Sequence, residues 1–419
     1  MNLQHTVKRM YANAQPLSRG LFFRKSERGP LSWYFVATLL IVLCYGLVMM
    51  FSASYPTGYY EGDSYVYIRQ QLIFAVIGVG AMFAIARINY RWIRRFTWMI
   101  YALTILLLIG ALFTTADREE FHRWIIIFGV QFQPSEIAKF AVILSTAMLA
   151  DKYKNERKNW KFGLLYPLLP LIPVLVLMCL EPHYSGMILI TMIFFTMLLC
   201  GGCALKVLFP FIGVAVAAIA LLLTSQNNYV QERLAGWTLF SGDTSSMTYQ
   251  TRQSLYSVAS GGLFGLGIGN SRQKHLWLPE ATNDFIFSVV CEELGFVGAM
   301  LCMAGFAALI IQGVLIALRS PDLFGTMMCI GIVSQVGWQA FCNIAVVTNT
   351  IPNTGISLPF FSSGGTSLLM LLAEMGIVLS VSRAGNARML TEQRYKQEEL
   401  ARRLNGGTQS VYHRGQQPL

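Results

Sequence analysis

Apolar residues in this chain come in long unbroken runs rather than in alternation. Runs near the 20 residues needed to cross a bilayer fall at 31–53, 68–86, 97–114, 134–150, 162–181, 184–201, 205–224, 285–318, 322–348 and 364–382. The pattern predicts an all-α polytopic membrane protein with about ten transmembrane helices, the run 285–318 being one long or broken helix. Between the third and fourth runs, "RWIIIFGVQF" is too short to span and is expected to dip into the membrane interface. No repeat of 20–50 residues is visible, and the halves show no inverted symmetry.

The polar positions orient these runs. Lys8, Arg9, Arg19, Arg24, Lys25 and Arg28 precede the first run. Arg87, Arg91, Arg94 and Arg95 fill the second connection, and Lys152, Lys154, Arg157, Lys158 and Lys161 the fourth. Segments 54–67 and 349–363 carry no Lys or Arg. The positive-inside rule therefore puts both termini in the cytoplasm, with 115–133, 349–363 and a large loop 225–284, between spans seven and eight, outside. The expected organisation is a basic N-terminal segment 1–30, a membrane domain 31–384, and a cytoplasmic tail 385–419 that forms a short helix and then disorder.

Composition agrees. The chain is 54% hydrophobic and 13% charged, with a mean hydropathy of +0.50, whereas soluble domains carry about 25% charged residues. The net charge of +11 is a topology signal, not a nucleic-acid footprint, because the basic residues sit between apolar runs. All eight cysteines lie in or beside apolar segments, so no disulfide framework follows. Cys200-Gly-Gly-Cys203 lacks the second pair a zinc site needs. The first apolar run is too long for a signal peptide.

Polar groups beside these runs are the candidates for chemistry. In "FHRWIIIFGVQFQPSEIAKF", Pro134 suits a first helical position, and Glu136 complements the positive helix end. Lys139 shares its face three residues on, as an internal ion pair or, with Arg123 and Trp124, as a receiver for an anionic headgroup. In "ATNDFIF", Asp284 reads either as a helix N-cap or as a functional acid near an outer helix end, with Lys139 as its natural partner. Ser288, Cys291 and Glu292 fall near its helix face, Glu292 some 12 Å deeper; Glu293 is expected to point the other way.

"IPNTGISLPFFSSGGTSLL" is too rich in Pro and Gly for regular helix. Its Ser363-Gly364-Gly365 stretch opens a helix, where backbone N–H groups can cradle phosphate, although no P-loop lysine is present. The alternative is a re-entrant structural loop. The stretch 249–280 is expected to be amphipathic or re-entrant, with Arg252, Arg272 and Lys274 available for anionic lipid. Its Gly-x-Gly follows no strand, so a dinucleotide-binding reading fails. His183, in Glu181-Pro182-His183, reads as structural.

The blocks "QPSEIAKF", "GGLFGLGIGNSRQKHLWLPEATNDFIFSVVCEELGF" and "NTGISLPFFSSGGTSLL", in this order, resemble the signature blocks of the FtsW/RodA/SpoVE (SEDS) family. "GNSRQKHLWLPEA" is closer to the division and sporulation branches than to the elongation branch. The resemblance implies a peptidoglycan glycosyltransferase that polymerises Lipid II into undecaprenyl-pyrophosphate-linked glycan at the outer leaflet. It also implies a class B penicillin-binding transpeptidase and other divisome proteins as partners, in the plasma (inner) membrane at the division septum. Asp284 matches the family's catalytic Asp, but Thr282-Asn283 stand where the family has His-Thr. His183 likewise replaces the acid of a Gln-Pro-Asp block. Trp124 and Lys139 match further family positions. Arg123, Lys139, Arg252 and Arg272 are the expected cations for substrate pyrophosphate. A divalent cation, magnesium or manganese, is a candidate cofactor; no organic cofactor and no nucleic acid are expected. The competing readings are an elongation- or sporulation-specific member of the same family, and a flippase for the same lipid, whose site should lie near the midplane with access from both sides.

Overall fold

The apolar runs fold as a bundle of long helices. In the computed structural model the described residues are 28–113, 124–127, 130–204 and 248–414, with isolated positions such as Trp237 between them. In chain order the helices are α1 Trp33–Glu61, α2 Val66–Ile85, α3 Thr97–Leu112, α4 Pro134–Lys152, α5 Tyr166–Leu180 and α6 Tyr184–Cys200. After them come the short α7 Tyr249–Ser260, then α8 Ile286–Leu318, α9 Leu323–Val347 and α10 Gly365–Arg414. Seven described helical segments are long and apolar enough to cross a membrane. Two further helices fall short of that measure: α4, which carries Glu136, Lys139 and Lys152, and the 17-residue α6. Arg123 and nearly all of the expected span 205–224 lie outside the described residues.

The helix ends follow from local chemistry. Pro134 takes the first position of α4 with Glu136 in its first turn, where a missing N–H costs nothing and a carboxylate meets the positive helix end. Helix α1 runs eight residues past its expected end and stops at Gly62, whose φ of 97° suits a left-handed C-terminal residue. Helix α10 runs on through the polar tail instead of giving way to a separate short helix.

Three features depart from a plain bundle. Ile125–Ile127 and Val130–Phe132 pair as an antiparallel hairpin, Ile126 opposite Gln131, so the fold is mostly rather than wholly α. Helix α8 breaks at Gly295, where φ is 65° and ψ −162°. Into that break packs the glycine-rich segment after α7. Leu266 and Gly267 donate to the Glu292 and Glu293 carbonyls at 2.9 Å each, while Phe296 and Val297 donate back to Gly262 and Leu263. The backbone groups freed by the break are thus satisfied internally, as membrane depth requires. Contact is closest at Gly261, where a Cβ would lie 1.9 Å from the Cys291 carbonyl oxygen.

The main apolar core joins α1, α8, α9 and α10 through residues such as Phe35, Met49, Val289, Phe324 and Leu372. A second cluster joins α3, α4, α5 and α6. Residues 28–30 lie against α10: Gly29 donates to the Arg383 carbonyl at 3.2 Å, and Asn386 Nδ2 donates to Pro30 O at 2.8 Å.

Candidate active site

At one end of the bundle the helices part around a cavity enclosing about 3600 Å³, the space open to solvent included. The end of α1 (Thr57, Glu61), the start of α2 (Gln71, Phe74), the hairpin (Trp124, Gln131) and the start of α4 (Glu136) line one side. His183, the 274–285 segment and the 353–371 stretch line the rest. A smaller polar chamber adjoins it, lined by Glu136, Lys139, His183, Ser185, Gln339 and Ser357. Most of these polar groups sit near a helix terminus or in a connection, where charged residues escape the hydrocarbon; Gln339 lies within α9.

Asp284 lines this cavity and is half-buried. It is not the N-cap of α8: that position belongs to Phe285, and the helix begins at Ile286. Ser363, Gly364 and Gly365 also line the cavity. Two of the backbone donors expected to cradle phosphate are, however, already engaged: the Ser363 N–H by Thr282 O at 2.8 Å, and the Gly364 N–H by Gln71 Oε1 at 3.3 Å.

Lys139 is 4% exposed, and its ion pair is with Glu136 at 2.8 Å, not with Asp284 as expected. Three residues along one helix bring the two side chains together without help from the rest of the fold. The other Glu136 oxygen accepts from Ser367 Oγ at 3.1 Å, which ties α4 to α10. Trp124 lies at the cavity mouth, 38% exposed.

The outer basic residues divide differently from expectation. Arg272 is exposed, and neither it nor Arg252 lines the cavity; Lys274 does. Lys274 is 3% exposed, its Nζ 2.7 Å from Glu293 Oε1 and 3.0 Å from Ser52 Oγ. Glu293 was expected to face away from Glu292, yet both carboxylates grip the same turn. Glu292 accepts from Ser257 Oγ at 2.8 Å, from Ser271 Oγ and from the Arg272 N–H at 3.0 Å. Glu293 accepts from Ser52, Lys274 and the Ser271 N–H. The break at Gly295 brings the glycine-rich segment down to both acids, which a regular helix face does not reveal. Neither acid lines the cavity, so their carboxylates hold the loop that leads to Asp284.

Comparison with known proteins fits this geometry. A family model described as a cell cycle protein, FtsW/RodA/SpoVE, matches residues 32–387. The chain belongs to the FtsW/RodA/SpoVE family. It is 36% identical over 354 residues to stage V sporulation protein E of Bacillus subtilis (strain 168), covering 83% of this chain and 96% of that one. It is 34% identical over 377 residues to a probable peptidoglycan glycosyltransferase FtsW of Geobacter sulfurreducens, covering 87% and 98%. Its fold is similar, at a TM-score of 0.68 and 24% identity, to a chain solved in a peptidoglycan synthase complex that coordinates polymerization and crosslinking; coverage is 85% and 98%. The protein is accordingly a multi-pass membrane member of this family.

Proposed function

We propose that this protein is a peptidoglycan glycosyltransferase that polymerises Lipid II at the outer leaflet, serving septal wall synthesis beside a class B penicillin-binding transpeptidase. The observation that carries this reading is the position of Asp284. It is a half-buried acid one residue before the N-cap position of α8, on the wall of a cavity that opens at one end of the bundle. A lipid flippase calls for a midplane site reached from both sides.

The chemistry requires little else. Forming a β-1,4 bond from an α-linked glycosyl pyrophosphate inverts the anomeric carbon, so one displacement suffices. Asp284 takes the proton from the acceptor 4-hydroxyl as that oxygen attacks, and the pyrophosphate leaves with the bonding pair. The start of α8 lies two residues on, and its positive end favours the ionised carboxylate. Lys139, with Arg123, offsets the charge developing on the leaving group. Among the described residues no three His, Cys, Asp or Glu side chains converge as a metal cage. Magnesium bound mainly through substrate phosphates needs only one or two carboxylates, and Glu280 lines the cavity to supply one. Such an ion would neutralise pyrophosphate charge.

The ten-span, termini-inside topology is part of the same proposal. Gly201, at the end of α6, accepts from Arg157, at the end of the bundle away from the cavity. Trp237 Nε1 donates to Asn349 O, beyond the outer end of α9. These two contacts lie at opposite ends of the bundle, which supports an even number of spans.

The test is polymer formation from purified Lipid II in detergent, where no two-sided membrane exists. Asp284→Ala should leave the protein folded and make no polymer. Polymerisation by Asp284→Ala near the parent rate would sink this assignment of the base.

A further inference from the structure

The turn that presents Asp284 exposes three consecutive backbone carbonyls, and each accepts a hydrogen bond from a distant part of the chain. Thr282 O accepts from the Ser363 N–H at 2.8 Å. Asn283 O accepts from Ser362 Oγ at 2.7 Å. Asp284 O accepts from Asn343 Nδ2, also at 2.7 Å.

Asn343 is the unusual member of this set. It sits in "FCNIAVV" on α9, within an apolar span, and is fully buried. An amide there is costly unless its hydrogen bonds are made; its nitrogen makes two, while its Oδ1 has no partner among the described residues. The same nitrogen also donates to Ile356 O at 2.8 Å. Both neighbours are carbonyl oxygens, which only accept, so the amide must turn its NH₂ toward them. One side chain therefore fastens the Asp284 turn to the 352–367 loop. Ser362 makes a parallel tie: its Oγ accepts from the Leu358 N–H at 2.8 Å while donating to Asn283 O. Asn343 does not line the cavity, so any effect it has on the reaction acts through the groups it holds.

We propose that Asn343, supported by Ser362, is a positioning residue for Asp284, fixing where its carboxylate stands relative to the acceptor hydroxyl. The inference rests on the reading of Asp284 as the base. Proton transfer needs heavy atoms within hydrogen-bond reach, and a misplacement of about 1 Å can cost on the order of 100-fold in rate. A backbone anchored at the carbonyls of residues 282, 283 and 284 limits such drift, whereas the side chain of Asp284 alone would not. A purely structural role predicts something else: lower stability with parent kinetics in whatever fraction stays folded.

The experiment measures Lipid II polymerisation by purified protein, with kcat and KM separated and the thermal transition recorded. Asn343→Leu keeps the approximate volume and removes the donor. Ser362→Ala removes the hydroxyl, and Ser362→Thr keeps it. Asn343→Leu should lower kcat on the order of 100-fold, with KM within about twofold of the parent. Ser362→Ala should lower kcat about 10-fold, and Ser362→Thr should restore it. Parent-like kcat in Asn343→Leu overturns the proposal, as does a raised KM at unchanged kcat. If Asn343→Leu does not fold, the Ser362 pair decides: equal kcat for the Ala and Thr variants also overturns it. Asp284→Ala in the same assay separates the two ideas. If that variant is inactive while Asn343→Leu behaves as the parent, positioning alone fails; if it is active, the assignment of the base fails.

Discussion

Replacing Gly265 by alanine tests how firmly the glycine-rich segment is locked into helix α8. Gly265 has a φ of +80°, and a Cβ there would lie 2.1 Å from the Glu293 carbonyl oxygen, 2.3 Å from its carbon and 2.5 Å from the Leu294 nitrogen. All three are backbone atoms, so no side chain can swing away to make room. The left-handed conformation alone costs an alanine about 1–2 kcal/mol. Moving the segment aside breaks the Leu266 and Gly267 hydrogen bonds to the Glu292 and Glu293 carbonyls, at about 1–3 kcal/mol for each acceptor left buried and unpaired. The sum is about 3–8 kcal/mol. Gly269 is the control: its φ is +88°, with nothing within 4 Å of the added Cβ. Gly269→Ala should therefore cost only the conformational part, about 1–2 kcal/mol. Heating both purified variants in detergent and following monodispersity by size exclusion, with tryptophan emission alongside, gives the comparison. Gly265→Ala should fail at a clearly lower temperature than Gly269→Ala. Equal transitions would mean that the segment is not clamped to α8 as described.

Two further outcomes follow from the charges. Lys274→Met leaves Glu293 fully buried without its cation and should destabilise by about 3–5 kcal/mol, with Lys274→Met/Glu293→Gln regaining much of the loss; a double variant no better than the single would refute the pairing. Lys139→Ala should lower Lipid II polymerisation by on the order of 10² to 10³, as for loss of one charge-stabilising donor, and parent-like polymer yield from a well-folded variant would exclude that role.

Seven spans were legible because runs of apolar residues near bilayer length leave few alternatives. The start of α4 was equally plain, since Pro134 and Glu136 act within one turn, and so was the Glu136–Lys139 pair. What escaped the sequence depends on contacts across hundreds of positions. Glu292 and Glu293 looked divergent because helix periodicity places them apart, while the break at Gly295 and the returning glycine segment are tertiary events. Arg252, Arg272 and Lys274 are equivalent as basic residues in a loop, and only the fold turns Lys274 toward the cavity. Asn343 did leave a signal, an amide within an apolar span, but nothing local names the carbonyls that it serves. Helix α10 outran its expected end because its tail is rich in helix formers and carries pairs such as Arg388–Glu392, which sustain helix without burial.

Helix α10 has a mechanical consequence. It begins at Gly365, on the cavity wall, and its stretch to Leu400 alone spans 36 residues, or about 54 Å at 1.5 Å per residue. A hydrocarbon layer of about 30 Å accounts for little more than half of that length. The remainder is a stiff arm on the opposite face of the membrane, continuous with the wall of the site. A sideways push of about 5 Å at Leu400 corresponds to a tilt of roughly 5° over a rod of this length. Whatever bears on that arm therefore exerts torque on the chamber at its other end, with no diffusible messenger and no hinge in between.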